Sequence, residues 1–205
     1  MIYNDFIQGD KTMNSYIDLP YGYKEILSVD LQKDKKLAGI VNGIAIVLLI
    51  IFFIIGNAIV PFGEFYKMEL AATIVMFVGL IAYIILHELV HGIVMYGYSK
   101  VKPSYGFTGL YAYAGSKCYF NKKSYIIIAL APIVVWGIVL LVLNLIFQEK
   151  WFWVIYFIQI MNISGAGGDL YVTYRFSKLP KDILINDTGV AMTIYSKEYQ
   201  ENKND

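Results

Sequence analysis

The sequence predicts an all-α polytopic membrane protein with about four transmembrane helices and a short cytoplasmic β-hairpin between the second and third helices. Three observations favour this fold class. First, 58% of the 205 residues are hydrophobic and only 16% are charged, and the mean hydropathy is +0.54, which is typical of a membrane protein. Second, four long apolar segments are present. Third, basic residues are distributed unevenly between the connecting segments.

Each apolar segment is about twenty residues or longer, enough to cross a hydrocarbon core of roughly 30 Å. Because unpaired backbone groups are not tolerated in lipid, such segments are predicted to be helices. The segments cover residues 37–60, 70–98, 125–147 and 151–171. This pattern divides the chain into a cytoplasmic N-terminal segment, 1–36, a four-helix membrane domain, 37–172, and a cytoplasmic C-terminal tail, 173–205.

The orientation follows from the basic residues. Of the 17 Lys and Arg residues, all but Lys67 and Lys150 lie in the N-terminal segment, the central loop or the tail. Because basic residues accumulate on the cytoplasmic side, both termini and the central loop are predicted to be cytoplasmic, in a multi-pass protein of the cell membrane. The net charge of +1 gives no reason to expect a nucleic-acid partner.

The central loop, residues 99–124, is long enough to hold structure. Residues 105–113 alternate partly at period two, residues 114–117 predict a turn, and residues 118–120 predict a returning strand. In this hairpin Tyr105 and Phe107 are candidates to hold an extended substrate segment by adding it to the sheet edge. The alternative is an aromatic loop that only anchors the chain at the interface.

The second apolar segment contains the pattern His-Glu-x-x-His at His87, Glu88 and His91, and the chain has no other histidine. Residues four apart share a helix face, so both imidazoles can bind one metal ion while Glu88 reaches a water molecule at the metal. The alternative is a helix interface that packs these three side chains without metal. Three ionisable groups within one membrane helix are costly and generally mark function, which favours the metal site.

A hydrolytic zinc site needs a third protein ligand. Within the four apolar segments the one acidic residue besides Glu88 is Asp169. At 1.5 Å per residue, His87 lies about 27 Å and Asp169 about 28 Å from the outer ends of their helices, which predicts matching depths. Asp169 is therefore the candidate third ligand. It is alternatively an interfacial acid at the start of the tail, in which case the third ligand would come from Asp182, from Asp187 or from a second chain.

Polar and glycine residues precede Asp169. Gly165, Gly167 and Gly168 predict either local unwinding, which would bring Asp169 to the metal, or close helix packing. Asn162 and Ser164 are candidates to contact a substrate backbone or a developing oxyanion. Alternatively, they hydrogen-bond a neighbouring helix.

The chain resembles the site-2 protease superfamily of intramembrane zinc peptidases, and in particular small bacterial membrane proteins described as putative zincin peptidases. The resemblance rests on the His-Glu-x-x-His helix, the hairpin-like loop after it, the Ala-Leu-Ala-Pro sequence that ends at Pro132, and the later Asp169. It implies zinc as cofactor, His87, His91 and Asp169 as ligands, and Glu88 as general base.

These features predict a zinc-dependent endopeptidase that cleaves membrane proteins or peptides near the cytoplasmic side of the bilayer. Two other functions remain open. A small transporter or metal-binding protein would also place ionisable groups in the membrane, and a catalytically idle adaptor would keep the same helices. The intact Glu88 argues against the adaptor. The sequence does not predict the oligomeric state.

Overall fold

The computed structural model describes residues 15–30, 32–67, 69–109, 111–147 and 151–197. Within these residues the chain forms five α-helices, one short 3-10 helix at Phe62–Lys67, and seven β-strands.

Three helices are long and apolar enough to cross a membrane: α1 at Lys35–Ile59, α2 at Leu70–Ser99 and α3 at Lys122–Ile146. Two begin at side-chain caps, because Asp34 accepts a hydrogen bond from the Leu37 N–H and Asn121 accepts one from the Ser124 N–H. Such caps pair backbone donors that have no partner inside the helix. Most apolar side chains of α1 are exposed, as expected for a surface that faces lipid.

The fourth apolar segment is divided between two shorter helices, α4 at Phe152–Ser164 and α5 at Gly167–Ser177. The prediction of about four transmembrane helices is corrected here, since only three described helices are long enough. The break lies in a glycine-rich stretch with low helix propensity. At Gly167 a Cβ atom would lie 3.1 Å from the Val41 carbonyl oxygen, so this glycine allows α5 to approach α1 closely.

The predicted all-α fold class is wrong, because the described residues contain two antiparallel sheets. The larger sheet has the order β1-β5-β6-β7-β2. Its strands are β1 at Ser15–Tyr16, β2 at Lys24–Val29, β5 at Tyr119–Asn121, β6 at Leu184–Asp187 and β7 at Met192–Ser196. Each strand is only two to six residues long, too short for a clear local pattern. Pairing between distant segments stabilises them instead.

This sheet joins the predicted N-terminal segment, the central loop and the tail. In the chain, its strands precede α1 and α3 and follow α2 and α5. All three segments therefore lie at one end of the helix bundle. The helix α3 leads away from this end of the bundle, and β6 lies at this end again. Residues 152–177, which form a helical segment with a break, therefore carry the chain back.

The second sheet is a hairpin of β3, Ser104–Phe107, and β4, Ala112–Gly115. The predicted turn at 114–117 is wrong, because the chain reverses at 108–111, where the Thr108 N–H donates to the Tyr111 carbonyl. Residues 119–121 do not return to β3 but pair with β6 in the larger sheet. A glycine explains the position of the turn, since Gly109 has a φ of 91° that few other residues adopt.

The main core lies between the larger sheet and the adjoining helix ends. It is formed by apolar side chains of all three sheet-forming segments and of α2, α3 and α5, among them Met95, Phe120, Val172, Phe176, Ile185 and Ile194. The candidate site therefore lies beside a packed core rather than in a loose loop.

Candidate metal centre

The helix α2 places Tyr83, His87 and His91 on one face, because residues four positions apart lie on the same side of a helix in successive turns. All three side chains are buried. The two imidazole rings have their centroids 4.9 Å apart. The sequence spacing alone therefore brings both histidines to one point of the bundle.

The orientation of His91 is determined by a carbonyl group. Its Nδ1 lies 2.9 Å from the Ile128 carbonyl oxygen of α3. A carbonyl oxygen only accepts, so the proton is on Nδ1 and the neutral ring keeps its lone pair on Nε2.

The orientation of His87 is determined through two further side chains. Its Nδ1 lies 2.7 Å from the Tyr83 hydroxyl oxygen, and that hydroxyl donates over 2.8 Å to Oδ1 of Asn162. The Asn162 amide is oriented in turn, because its Nδ2 donates over 3.2 Å to the Ile133 carbonyl. Since the single hydroxyl proton is used on Asn162, Nδ1 of His87 donates to Tyr83. Its Nε2 also keeps a lone pair.

Both Nε2 atoms face the carboxylate of Asp169 in the first turn of α5. The distance to Oδ2 is 3.3 Å from His87, and the distance to Oδ1 is 3.4 Å from His91. Zinc bonds of about 2.0–2.1 Å at tetrahedral angles separate neighbouring ligand atoms by about 3.4 Å. The three side chains could therefore hold one metal ion.

The donor set fits zinc chemically as well as geometrically. Two imidazole nitrogens and one carboxylate oxygen are a known zinc ligand set that leaves a fourth position for water. With both Nδ1 protons donated elsewhere, two nitrogen lone pairs and one carboxylate point at each other. A cation between them relieves that repulsion.

Glu88 lies beside this group, on the wall of a cavity of about 410 Å³. Its carboxylate lies near the backbone N–H of Ala114 in β4. Burial, followed by the nearby negative charge of Glu88, raises the pKa of the Tyr105 phenol in β3. The hairpin is thus close to Glu88, which lies between the two histidines in sequence.

The cavity is lined by residues of the helices and of both sheets. Its lining includes Asn42 of α1, Tyr125 of α3, Gly168 of α5, Ala112 of β4 and Asp187 of β6. The Tyr125 hydroxyl donates over 2.6 Å to Oδ2 of Asp187, and the Gly189 N–H donates over 2.7 Å to its Oδ1. Burial raises the pKa of the Asp187 carboxyl. The C-terminal segment therefore contributes directly to the walls of the site.

Comparison with known families adds an independent finding. Residues 80–184, about half of the chain, match the family described as "Putative zincin peptidase". The chain belongs to this family. No curated protein and no solved structure matches the chain.

The matched range contains the candidate ligands of this zincin family member and both strands of its hairpin. It ends at Leu184, before Asp187. The membership supports zinc peptidase chemistry. The individual roles of the side chains come from their geometry.

The remaining predicted site residues lie in different surroundings. Asn162 is fully buried and holds Tyr83, whereas the Ser164 hydroxyl donates to the Ile160 carbonyl of its own helix. In β3, Tyr105 and Phe107 are exposed, and the Tyr105 hydroxyl packs against Gly92, where a Cβ atom would clash with it. Contact of these residues with a substrate stays a prediction.

Sequence reasoning missed the second layer of residues around the ligands. Tyr83 carried a usable signal, since it precedes His87 by four residues on the same helix face. Tyr125 carried no such signal, because its partner Asp187 is 62 positions away in the sequence. Asp182, the other tail carboxylate considered as a ligand, instead accepts from the Ser196 hydroxyl.

Proposed function

We propose that this chain is an intramembrane zinc endopeptidase of the site-2 protease type. Its substrates are membrane proteins or membrane-associated peptides, and cleavage takes place near the cytoplasmic side of the bilayer. Membership of the zincin family and three helices of membrane-spanning length support the proposal at the level of chemistry and location.

One observation carries the proposal. The Nε2 atoms of the two imidazoles lie 3.3 and 3.4 Å from the oxygens of one carboxylate, and an acidic side chain lies between them in sequence on the same helix. A helix packed only for stability has no need for this arrangement, because ionisable groups within a membrane are costly.

Zinc bound by His87, His91 and Asp169 would supply Lewis-acid activation of water and of the scissile carbonyl. Glu88 acts as general base, accepting a proton from the attacking water and returning it to the departing amine. Glu88 and Ala114 both line the cavity. Glu88 is therefore the residue whose loss separates metal binding from catalysis.

The substrate binds as an extended segment along the outer edge of β4. Hydrogen-bonded pairs alternate in an antiparallel ladder. Since Thr108 and Tyr111 form such a pair, the Tyr105–Ala114 pair is a non-hydrogen-bonded one. The Ala114 backbone groups thus point away from β3, and Ala112 and Ala114 line the cavity. A strand added at this edge passes Glu88.

The first measurement is the zinc content of the purified full-length protein in detergent, determined by elemental analysis. We expect about one zinc per chain, loss of zinc in His87→Ala, and retention of zinc in Glu88→Gln. Wild-type protein without zinc after reconstitution would falsify the enzyme assignment.

The second measurement is proteolysis in membranes of cells that express each variant. Mass spectrometry should detect new peptide ends with the wild type and not with Glu88→Gln. The matched control is Glu25→Gln, the same change at an exposed position of β2, which should behave as the wild type. Equal cleavage by Glu88→Gln would exclude the mechanism. Zinc release from loaded vesicles without any cleavage would favour the transporter instead.

A further inference from the structure

Pro132 lies inside α3, although proline is unfavourable within a helix. A proline nitrogen carries no hydrogen, so the residue four positions earlier loses its usual backbone donor. In this helix that residue is Ile128, whose carbonyl is the one that accepts from His91. In general, a proline ring inside a helix also clashes with the carbonyl four positions earlier.

The free carbonyl is buried, which makes a partner necessary. Ile128 is 1% exposed, and an unpaired buried carbonyl is expensive. The Nδ1–H of His91 supplies the missing donor at 2.9 Å. Metal binding through Nε2 also requires the ring proton to be on Nδ1. The donor that the Ile128 carbonyl needs and the tautomer that the metal needs are therefore the same.

We propose that Pro132 is a positioning residue for the metal centre. By withholding a helix donor from Ile128, it reserves that carbonyl for His91 and holds the ring with Nε2 directed at the metal. The proposal rests on the proposed zinc site and adds a role to a residue that does not touch the metal.

A second carbonyl of α3, five residues further along the helix, is connected to the other histidine. The Ile133 carbonyl accepts a hydrogen bond from Asn162. Asn162 in turn holds Tyr83, and Tyr83 holds His87. For Ile133 the helix donor, Gly137, is an ordinary N–H group. The orientation of His87 therefore does not use a carbonyl released by Pro132, which gives the test an internal reference.

The test uses the zinc-loaded full-length protein in detergent, labelled with nitrogen-15 in histidine. The chain contains only 2 histidines, so His87→Ala assigns both rings in the NMR spectrum of the zinc-free protein, and titration of the wild type with zinc carries the assignment to the loaded form. In the wild type we expect both rings to bind zinc through Nε2, with the Nδ1 proton of His91 protected from exchange with water.

In Pro132→Ala the restored N–H competes for the Ile128 carbonyl. We expect faster exchange of the His91 Nδ1 proton, little change at His87, and about 10-fold to 100-fold weaker zinc binding in a chelator competition assay. The control Pro61→Ala makes the same change at the far end of the bundle. It should alter neither the exchange of the His91 Nδ1 proton nor the zinc affinity. Unchanged His91 exchange and unchanged zinc affinity would overturn the proposal.

A second variant separates the missing hydrogen from the proline ring. Pro132→lactic acid, introduced as a backbone ester, also lacks the N–H but has no ring. It should retain the His91 signal and zinc affinity close to the wild type, and loss of both would assign the effect to the ring. If Pro132→Ala does not fold, the wild-type spectrum decides, since His91 bound through Nδ1 contradicts the proposal. Wild-type protein that binds no zinc would instead reject the metal site itself.

Discussion

At the scale of residues, each side chain near the site has a separate task in the proposed mechanism. His87, His91 and Asp169 could hold the ion, Tyr83 orients an imidazole, and Glu88 lies beside the cavity without being needed as a ligand. Because these tasks differ, single substitutions should produce different combinations of lost metal and lost activity.

Asp169→Ala tests the third ligand. Removing the carboxylate should weaken zinc binding by about 10-fold or more, since even changes in outer-shell partners reach that range. Chelator competition measures the affinity. The matched control is Asp182→Ala, because Asp182 pairs with Ser196 in the tail and its loss should leave zinc affinity unchanged. The opposite result would move the ligand to the tail.

Tyr83→Phe tests the relay to His87. The change removes the acceptor of the His87 Nδ1–H and the donor to Asn162, so we expect roughly 10-fold weaker zinc binding with the fold preserved. Tyr96→Phe makes the same change at an exposed position of the same helix. Equal zinc affinity in the two variants would show that the hydroxyl does not orient the ring.

At the scale of elements, the site depends on how strands attach to helices. The link between α3 and β6 is the hydrogen bond from Tyr125 to Asp187 in a buried setting. The hairpin rests on α2 through Tyr105 and Gly92. These attachments hold short strands that have little stability by themselves.

Tyr125→Phe should loosen the tail from the helices. It leaves one oxygen of the buried Asp187 carboxylate without its donor, which costs about 1–3 kcal/mol. Thermal unfolding in detergent should show a lower midpoint, and limited proteolysis should cut the tail faster. Tyr174→Phe, at an exposed position of α5, provides the comparison and should change neither. A tail that resists proteolysis as in the wild type would contradict this role.

At the scale of the whole molecule, one sheet ties together three segments that the membrane helices separate in sequence. Strands that share hydrogen bonds must lie on the same side of the bilayer. The excess of basic residues in these segments assigns that side to the cytoplasm in our proposal.

The topology gives a test in intact cells. Tags placed at either terminus should resist external protease and become sensitive only after the membrane is opened. A tag placed after Lys67, in the connection between α1 and α2, should be cleaved from outside. Termini on opposite sides would contradict both the charge argument and the five-stranded sheet.

Local sequence patterns determined the membrane helices and the pair of histidines, because each depends on residues close together along the chain. Apolar length predicted α1, α2 and α3. The His-Glu-x-x-His spacing predicted a shared helix face for His87 and His91. Asp169 was selected by elimination and depth, and the structure places it against both imidazoles.

Tertiary structure alone decided the features that join distant segments. The five-stranded sheet escaped prediction because each of its strands depends on a partner elsewhere in the chain, as the pairing of β2 with β7 illustrates. The fourth helix broke at its glycines where α5 approaches α1. The role of Pro132 was also invisible in sequence, since a carbonyl released in α3 gains meaning only when α2 brings His91 within 2.9 Å of it.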